Sequence, residues 1–158
     1  MRALTPADAT LLAEGFRELS SESRHRRFLH SVNALGPKEL AYLTNVDGHD
    51  HIAVAAGIVD PERDFEIGIG VAHAIRFREE PRCAELAVTV VDAWHGRGVG
   101  SVLTRELVAR ARHEGIEVLR GIVFYTNTAI QRLMHRLGPE VGRCDLGEGV
   151  VQLDVSIA

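Results

Sequence analysis

The stretch Val88-Thr89-Val90-Val91-Asp92-Ala93-Trp94-His95-Gly96-Arg97-Gly98-Val99-Gly100-Ser101 joins an apolar run to a glycine-rich turn. Beyond it, Val99, Val102, Leu103 and Leu107 fall at helical spacing, and Gly115 can end that helix. The pattern predicts a strand, a tight loop and an amphipathic helix. Glycines let a backbone approach a ligand closely. The first amides of a helix have no carbonyl partners within it and sit at the positive end of its dipole. A loop of this kind is therefore a site for a pyrophosphate. The spacing of Gly96, Gly98 and Gly100 satisfies neither G-x-G-x-x-G nor G-x-x-x-x-G-K-[ST].

Working back from this loop, Cys83 to Val91 reads as a strand, as do Ile67 to Phe77 and the apolar run Ile52 to Val59. Asp60-Pro61-Glu62-Arg63-Asp64 and Arg78-Glu79-Glu80-Pro81 are turn material. Three strands with short turns predict an antiparallel meander. Nearer the N-terminus, Thr5 can cap a helix with Pro6 at its first position and Asp8 three residues after the cap. A short helix is expected from Ser21, carrying Phe28 and Leu29, with Arg24-His25-Arg26-Arg27 as a solvated face. A third is expected after Pro37, carrying Leu40 and Leu43.

Working forward, Val118 to Phe124 reads as a strand. Asn127 or Thr128 can cap a helix whose apolar stripe is Ile130, Leu133, Met134 and Leu137, and Gly138-Pro139 stops it. Val150 to Ile157 reads as the last strand. The order is helices, a meander, then β-α-β-α-β. That is an α/β (α+β) chain with a mixed sheet and helices on its faces.

The chain has 158 residues, a length that fits one domain spanning 1–158, with 46% apolar and 25% charged residues and a formal net charge of -4. With no basic excess, nucleic acid is not an expected partner. No apolar run reaches the length of a membrane span, and Met1-Arg2-Ala3-Leu4 lacks the apolar stretch of a secretory signal. A cytoplasmic location follows as the expectation. Cys83 and Cys144 show neither metal spacing nor a disulfide framework and read as buried free thiols, and the scattered histidines suggest no metal site.

His95, Gly98 and Gly100 resemble the acyl-CoA loop [QR]-x-x-G-x-[GA] of the GNAT family of N-acetyltransferases, with His95 where Gln or Arg is usual. The resemblance implies a mostly antiparallel GNAT-like sheet flanked by helices, with acetyl-CoA as acyl donor. It places the cofactor against Val90, His95, Gly96, Arg97, Gly98, Val99, Gly100, Ser101 and Asn127. Asn127 can equally be a helix cap, and one residue can do both. The family's usual tyrosine acid is replaced by Met134, and Pro139 stands at the aromatic position that follows.

Three further segments resemble bacterial protein lysine acetyltransferases of that family. They are Leu19-Ser20-Ser21-Glu22-Ser23-Arg24-His25-Arg26-Arg27-Phe28, Leu43-Thr44-Asn45-Val46-Asp47 with His51-Ile52-Ala53-Val54-Ala55, and Ala84-Glu85-Leu86-Ala87-Val88-Thr89-Val90. The resemblance implies a very short first strand, a protein lysine as acceptor amine and Glu85 as general base. Alternation independently puts Cys83, Glu85, Ala87 and Thr89 on one strand face, with small neighbours that leave room for substrate. Glu is disfavoured in strands, and a partly buried carboxylate is suited to take a proton from an ammonium group. A salt-bridged structural carboxylate is the competing reading of Glu85. A small-molecule amine as acceptor, or a non-catalytic acyl-CoA-binding sensor, are the competing readings of the chain.

Overall fold

The structure, a computed structural model, describes residues 1–62 and 64–158. The turn expected at 60–64 includes Arg63, which lies outside the described residues. The elements run β1 (Arg2–Ala3), α1 (Ala9–Arg17), α2 (Ser21–Phe28), α3 (Pro37–Thr44), β2 (His51–Asp60), β3 (Phe65–Arg76), β4 (Cys83–Val90), α4 (Val99–His113), β5 (Val118–Phe124), α5 (Thr128–Leu137), β6 (Glu140–Gly147) and β7 (Val150–Ser156).

Local chemistry sets the helix starts. A 3-10 turn, Pro6–Asp8, precedes α1, and Asp8 Oδ2 accepts from the Thr5 amide at 2.8 Å. Ser20 caps α2 by accepting from the Ser23 amide at 3.1 Å. Leu29, left-handed at φ 61°, ends it. Pro37 stands at the start of α3, where its missing N–H costs nothing.

Among the described residues the strands form one sheet in the order β1-β2-β3-β4-β5-β7-β6. Every neighbouring pair is antiparallel except β4–β5. The meander expected from the sequence is β2-β3-β4. β6 was not expected. It is an edge strand whose Val141 and Leu146 are exposed, so no buried face imprints alternation on its sequence. Cys144 lies on it, exposed, which corrects the reading of that thiol as buried. Cys83 is buried as expected, and burial pushes its thiol up to about 11.

The sheet divides two layers. Ala84, Leu86 and Val88 of β4, with Ala72 and Ala74 of β3, pack on Leu103, Leu107 and Ala111 of α4 and Met134 of α5. On the other face lie α1, α2 and α3, where Leu4, Ala53 and Val71 meet Leu12 and Val46. The β2–β3 register shifts from Ala56↔Gly70 to Gly57↔Gly68, leaving Ile69 as a bulge. The extra residue turns Ile69 into the α4 layer although Val71, two positions on, faces the other way. α4 then packs tightly on Gly70, where an added Cβ would stand 2.9 Å from Leu103 Cδ1.

Candidate active site

The parallel pair at the centre of the sheet is short. β4 and β5 pair only at Cys83↔Val118, Ala84↔Leu119 and Glu85↔Arg120. β4 continues to Val90 and β5 to Phe124, so beyond Glu85 the two strands part into a fork. Cys83 accepts from the Phe77 amide, and the Val91 amide donates to Ile69, so the odd-numbered positions of β4 bond to β3. By the alternation of the ladder, the amides of Leu86, Val88 and Val90 turn toward the fork.

One prong leads into the glycine loop. A 3-10 turn at Asp92–Trp94 precedes it, and Gly96 and Gly98 take φ 71° and 81°, left-handed values that only glycine adopts cheaply. α4 opens at Val99, and its first helical bond runs from the Val102 amide to the Gly98 carbonyl. Among the described residues the amides of Gly96, Arg97, Gly98, Val99, Gly100 and Ser101 donate to no protein acceptor. Six consecutive donors at a helix N-terminus form a cradle for an anion. Nothing lies within 4 Å of a Cβ built at Gly96 or Gly98, so the cradle is open.

Two side chains brace the loop. The Nε2–H of His95 donates to the Val90 carbonyl at 2.8 Å, tying the loop to the tip of β4. The Arg97 guanidinium lies over the Trp94 ring, 4.9 Å from its centroid. His95 thus has a structural task that does not depend on the Gln or Arg usual at its position.

The other prong ends at Phe124. Asn127 caps α5, its Oδ1 accepting from the Ile130 amide at 3.4 Å, and Gln131 Nε2 donates to the Tyr125 carbonyl at 2.9 Å. The cap is therefore present, and among the described residues the Asn127 side-chain nitrogen makes no hydrogen bond. Met134 is fully buried, its thioether against Gly121 of β5, and does not reach the surface.

Glu85 stands at the crotch of the fork, half-buried, on the face covered by α1–α3. Its neighbours on that face include Ala87 and Thr89 of β4 and His73 of β3, diagonal to it across the pair Ile75↔Glu85 and His73↔Ala87. His73 is 1% exposed, and burial drives its imidazole well below the ordinary range, assisted by the Arg27 charge and His51. A cavity of about 70 Å³ on this face is lined by Arg27, His73 and Thr89 together with apolar residues of α1. α2 spans the fork above it: His25 stacks on Phe124 at 5.0 Å between centroids.

The reading of Arg24 to Arg27 as one solvated face needs correction at Arg27. Arg27 lines the cavity, its guanidinium over the Phe28 ring, and burial lowers its pKa against the opposing pull of Glu85 and Tyr42. Sequence reasoning passed over Arg27 and His73 as site residues. The signals were present: Arg27 belongs to the segment resembling the lysine acetyltransferases, and His73 lies between Val71 and Ile75 on an alternating strand face.

A central fork with an amide cradle at one prong is the architecture of a nucleotide-thioester-binding acyltransferase. The family model of the acetyltransferase (GNAT) family matches residues 9–138, and the chain belongs to that family. It is 34% identical over 157 residues to acetyltransferase Pat of Mycolicibacterium smegmatis, covering 98% of this chain and 45% of that protein. The chain thus spans less than half the length of that relative. It is 30% identical over 138 residues to acetyltransferase PA5475 of Pseudomonas aeruginosa, covering 87% of this chain and 73% of that protein. The crystal structure of the GNAT domain of S. lividans PAT superposes with a TM-score of 0.86 at 27% identity, covering 98% of this chain and 88% of that one.

Proposed function

We propose that residues 1–158 form one catalytic domain that moves an acetyl group from acetyl-CoA to an amine, with a protein lysine as acceptor. The observation that carries this reading is the fork itself: it sets Glu85 at its crotch and the free amides Gly96–Ser101 at the end of one prong. The three segments that resemble bacterial protein lysine acetyltransferases favour a lysine acceptor over a small-molecule amine.

The cradle, with Val90, His95 and Asn127 around it, takes the pyrophosphate of acetyl-CoA, and the pantetheine arm runs up the fork. Glu85 accepts a proton from the acceptor ammonium, directly or through one water. The neutral amine attacks the thioester carbonyl, and the Val90 amide, turned into the fork, steadies the developing oxyanion. The C–S bond breaks, the second proton of the amine passes to solvent, and solvent protonates the thiolate because Met134 carries no proton to give. The chain contributes proximity and a fixed dipole, and the reaction uses no metal.

The Glu85→Gln variant tests the reading. It keeps the side-chain shape, so acetyl-CoA affinity should persist while turnover falls by about 10²–10⁴-fold, the usual worth of a general base. Near-normal turnover in a folded variant would remove Glu85 from that role. Tight acetyl-CoA binding with no transfer by the parent to any lysine-containing protein or small amine would instead favour a sensor.

A further inference from the structure

We propose that the cavity on the α1–α3 face is an acyl subsite, and that Arg27 in its wall fits it to the coenzyme A thioester of a short dicarboxylic acid. The proposal rests on the reading of the fork as the acyl-CoA site and adds a second class of donor to it.

The two sides of β4 differ at its tip. Val90, whose amide turns into the fork, packs its side chain into the α4 layer. Leu103 is fully buried there, and even a Cβ added at Gly70, the partner of Val90 on β3, would stand 2.9 Å from Leu103 Cδ1. An acyl chain longer than acetyl finds no room on that side. Thr89 and Val91, the residues before and after Val90, both line the cavity on the opposite face. The cavity therefore adjoins the place where the fork would hold the thioester carbonyl. A single water needs about 10–15 Å³ of such space. The cavity offers about 70 Å³, room for the methylene and carboxylate that a four-carbon diacid chain adds to acetyl.

Most of the wall is apolar, with Leu4, Leu12, Phe16, Leu35 and Leu43 in it. Its charged groups fall into two sets. One is self-contained: Arg2 donates to both oxygens of Asp8, at 2.8 and 2.6 Å, and to Glu66 at 2.8 Å. The other is Arg27. Its neighbours on α2 are engaged locally, Arg26 with Glu22 at 2.5 Å and Arg24 with the carbonyls of Asn33 and Arg17 at 3.0 and 3.1 Å. Among the described residues Arg27 makes no hydrogen bond, and no carboxylate lies within 4.0 Å of it. Its guanidinium carbon is 4.9 Å from the ring centroid of Phe28, which is also part of the wall. The fully enclosed side-chain atoms that lack a partner among the described residues are Arg24 Nε and Arg76 Nε, so the unpartnered nitrogens of Arg27 remain within reach of a small group. His73 stands in the same wall, bonded through Nδ1 to His51 at 2.9 Å, and Thr89 brings a hydroxyl.

A cation without a partner is costly to keep in such a wall. A carboxylate at the end of the acyl chain offsets that cost by taking a forked pair of hydrogen bonds from the guanidinium. A plain alkyl chain of the same length leaves Arg27 unpaired. Transfer then follows the same course as for acetyl. The amine nitrogen bonds to the thioester carbon, the C–S bond breaks, the ammonium gives one proton to Glu85 and one to solvent, and coenzyme A takes a proton from solvent and leaves as the thiol. The positive charge of the acceptor is replaced by a negative one.

The test is calorimetric binding of acetyl-CoA and of the ketone analogues of butyryl-CoA and succinyl-CoA, in which a methylene replaces the sulfur so that neither can transfer its acyl group. The two analogues match in chain length and differ in a terminal methyl against a carboxylate. A charge-assisted pair in an enclosed place is worth about tenfold or more in affinity. The parent should bind the succinyl analogue at least about tenfold more tightly than the butyryl one, and Arg27→Met should abolish that ratio. Arg27→Gln stands in should the methionine variant not fold. A parent that binds acetyl-CoA but does not prefer the succinyl analogue, or a preference that survives in the folded neutral variant, overturns the proposal alone. A folded parent that binds none of the three, acetyl-CoA included, overturns the reading of the fork as the donor site and this proposal with it.

Discussion

His51 Nε2 and His73 Nδ1 lie 2.9 Å apart on the α1–α3 face of the sheet, one ring donating and the other accepting. The pairing requires at least one ring to be neutral, since two imidazolium groups would present donor to donor. Burial lowers the pKa of each, opposed at His51 by Asp47 and reinforced at His73 by Arg27. In the unfolded chain both protonate near pH 6.5, whereas in the native state neither does until lower pH. The unfolded state therefore binds more protons below that value. Stability is full well above pH 6.5 and is lost as pH falls toward the folded pKa values, at no more than about 1.4 kcal/mol per pH unit for each ring. Asp8, held down to about 2 by its hydrogen bond with Arg2, loses its contribution only below its ordinary value of 3.8, so the two windows separate. Calorimetric Tm should fall from pH 7.5 to 5.5, and His73→Gln should show a shallower fall from a lower starting Tm. Parallel pH profiles for parent and variant would contradict the assignment.

What the sequence shows and what it hides follow from how local each cause is. The glycine loop, the caps at Thr5 and Asn127 and the β2-β3-β4 meander rest on residues a few positions apart, and each was readable. The fork was not: where the β4–β5 ladder stops depends on β3 and β7 drawing the two strands apart, which no local pattern records. β6 escaped because an exposed edge strand needs no apolar alternation. Arg27 was misread because three of its neighbours, Arg24, His25 and Arg26, do face outward or along the surface, and composition cannot single out the one basic residue that turns in. The strand face that carries Glu85 was legible by alternation, but its place at the crotch of the fork required the register with Arg120.

Gly98 caps α4 at φ 81°, with open space where a side chain would project. Gly98→Val should cost about 1–2 kcal/mol in stability from the left-handed backbone alone. The new side chain also stands at the mouth of the amide cradle, so acetyl-CoA affinity should drop at least tenfold by calorimetry. If a folded valine variant binds acetyl-CoA as the parent does, the loop is not the pyrophosphate site.

Asn127 has two separable parts. Its Oδ1 caps α5 through the Ile130 amide, while its side-chain nitrogen is free to donate to the donor substrate. Asn127→Ala removes both and should lower stability by about 1 kcal/mol. Asn127→Asp preserves the cap, so its melting temperature should match the parent's, yet it exchanges a donor for a negative charge. Acetyl-CoA should bind the aspartate variant several-fold more weakly. Equal affinity in parent and Asn127→Asp would confine the residue to capping.

Met134 is fully buried, with its thioether on Gly121, at the position where relatives within the family often carry a tyrosine. The sulfur fills the space that the missing Cβ of Gly121 leaves, and no proton is available on it. Two consequences separate packing from chemistry. Met134→Ala opens a cavity beneath β5 and should cost about 2–5 kcal/mol, measured by chemical denaturation. Because β5 is one prong of the fork, the variant should also weaken acetyl-CoA binding modestly. The shape of the pH–rate profile should not change, since this side chain carries no proton to give. Met134→Leu, close in volume, should restore most of the stability, at a cost below about 1.5 kcal/mol. Disappearance of a basic-limb ionisation in Met134→Ala, with Met134→Leu behaving alike, would show that the position governs an acid after all, through a group that the thioether holds in place.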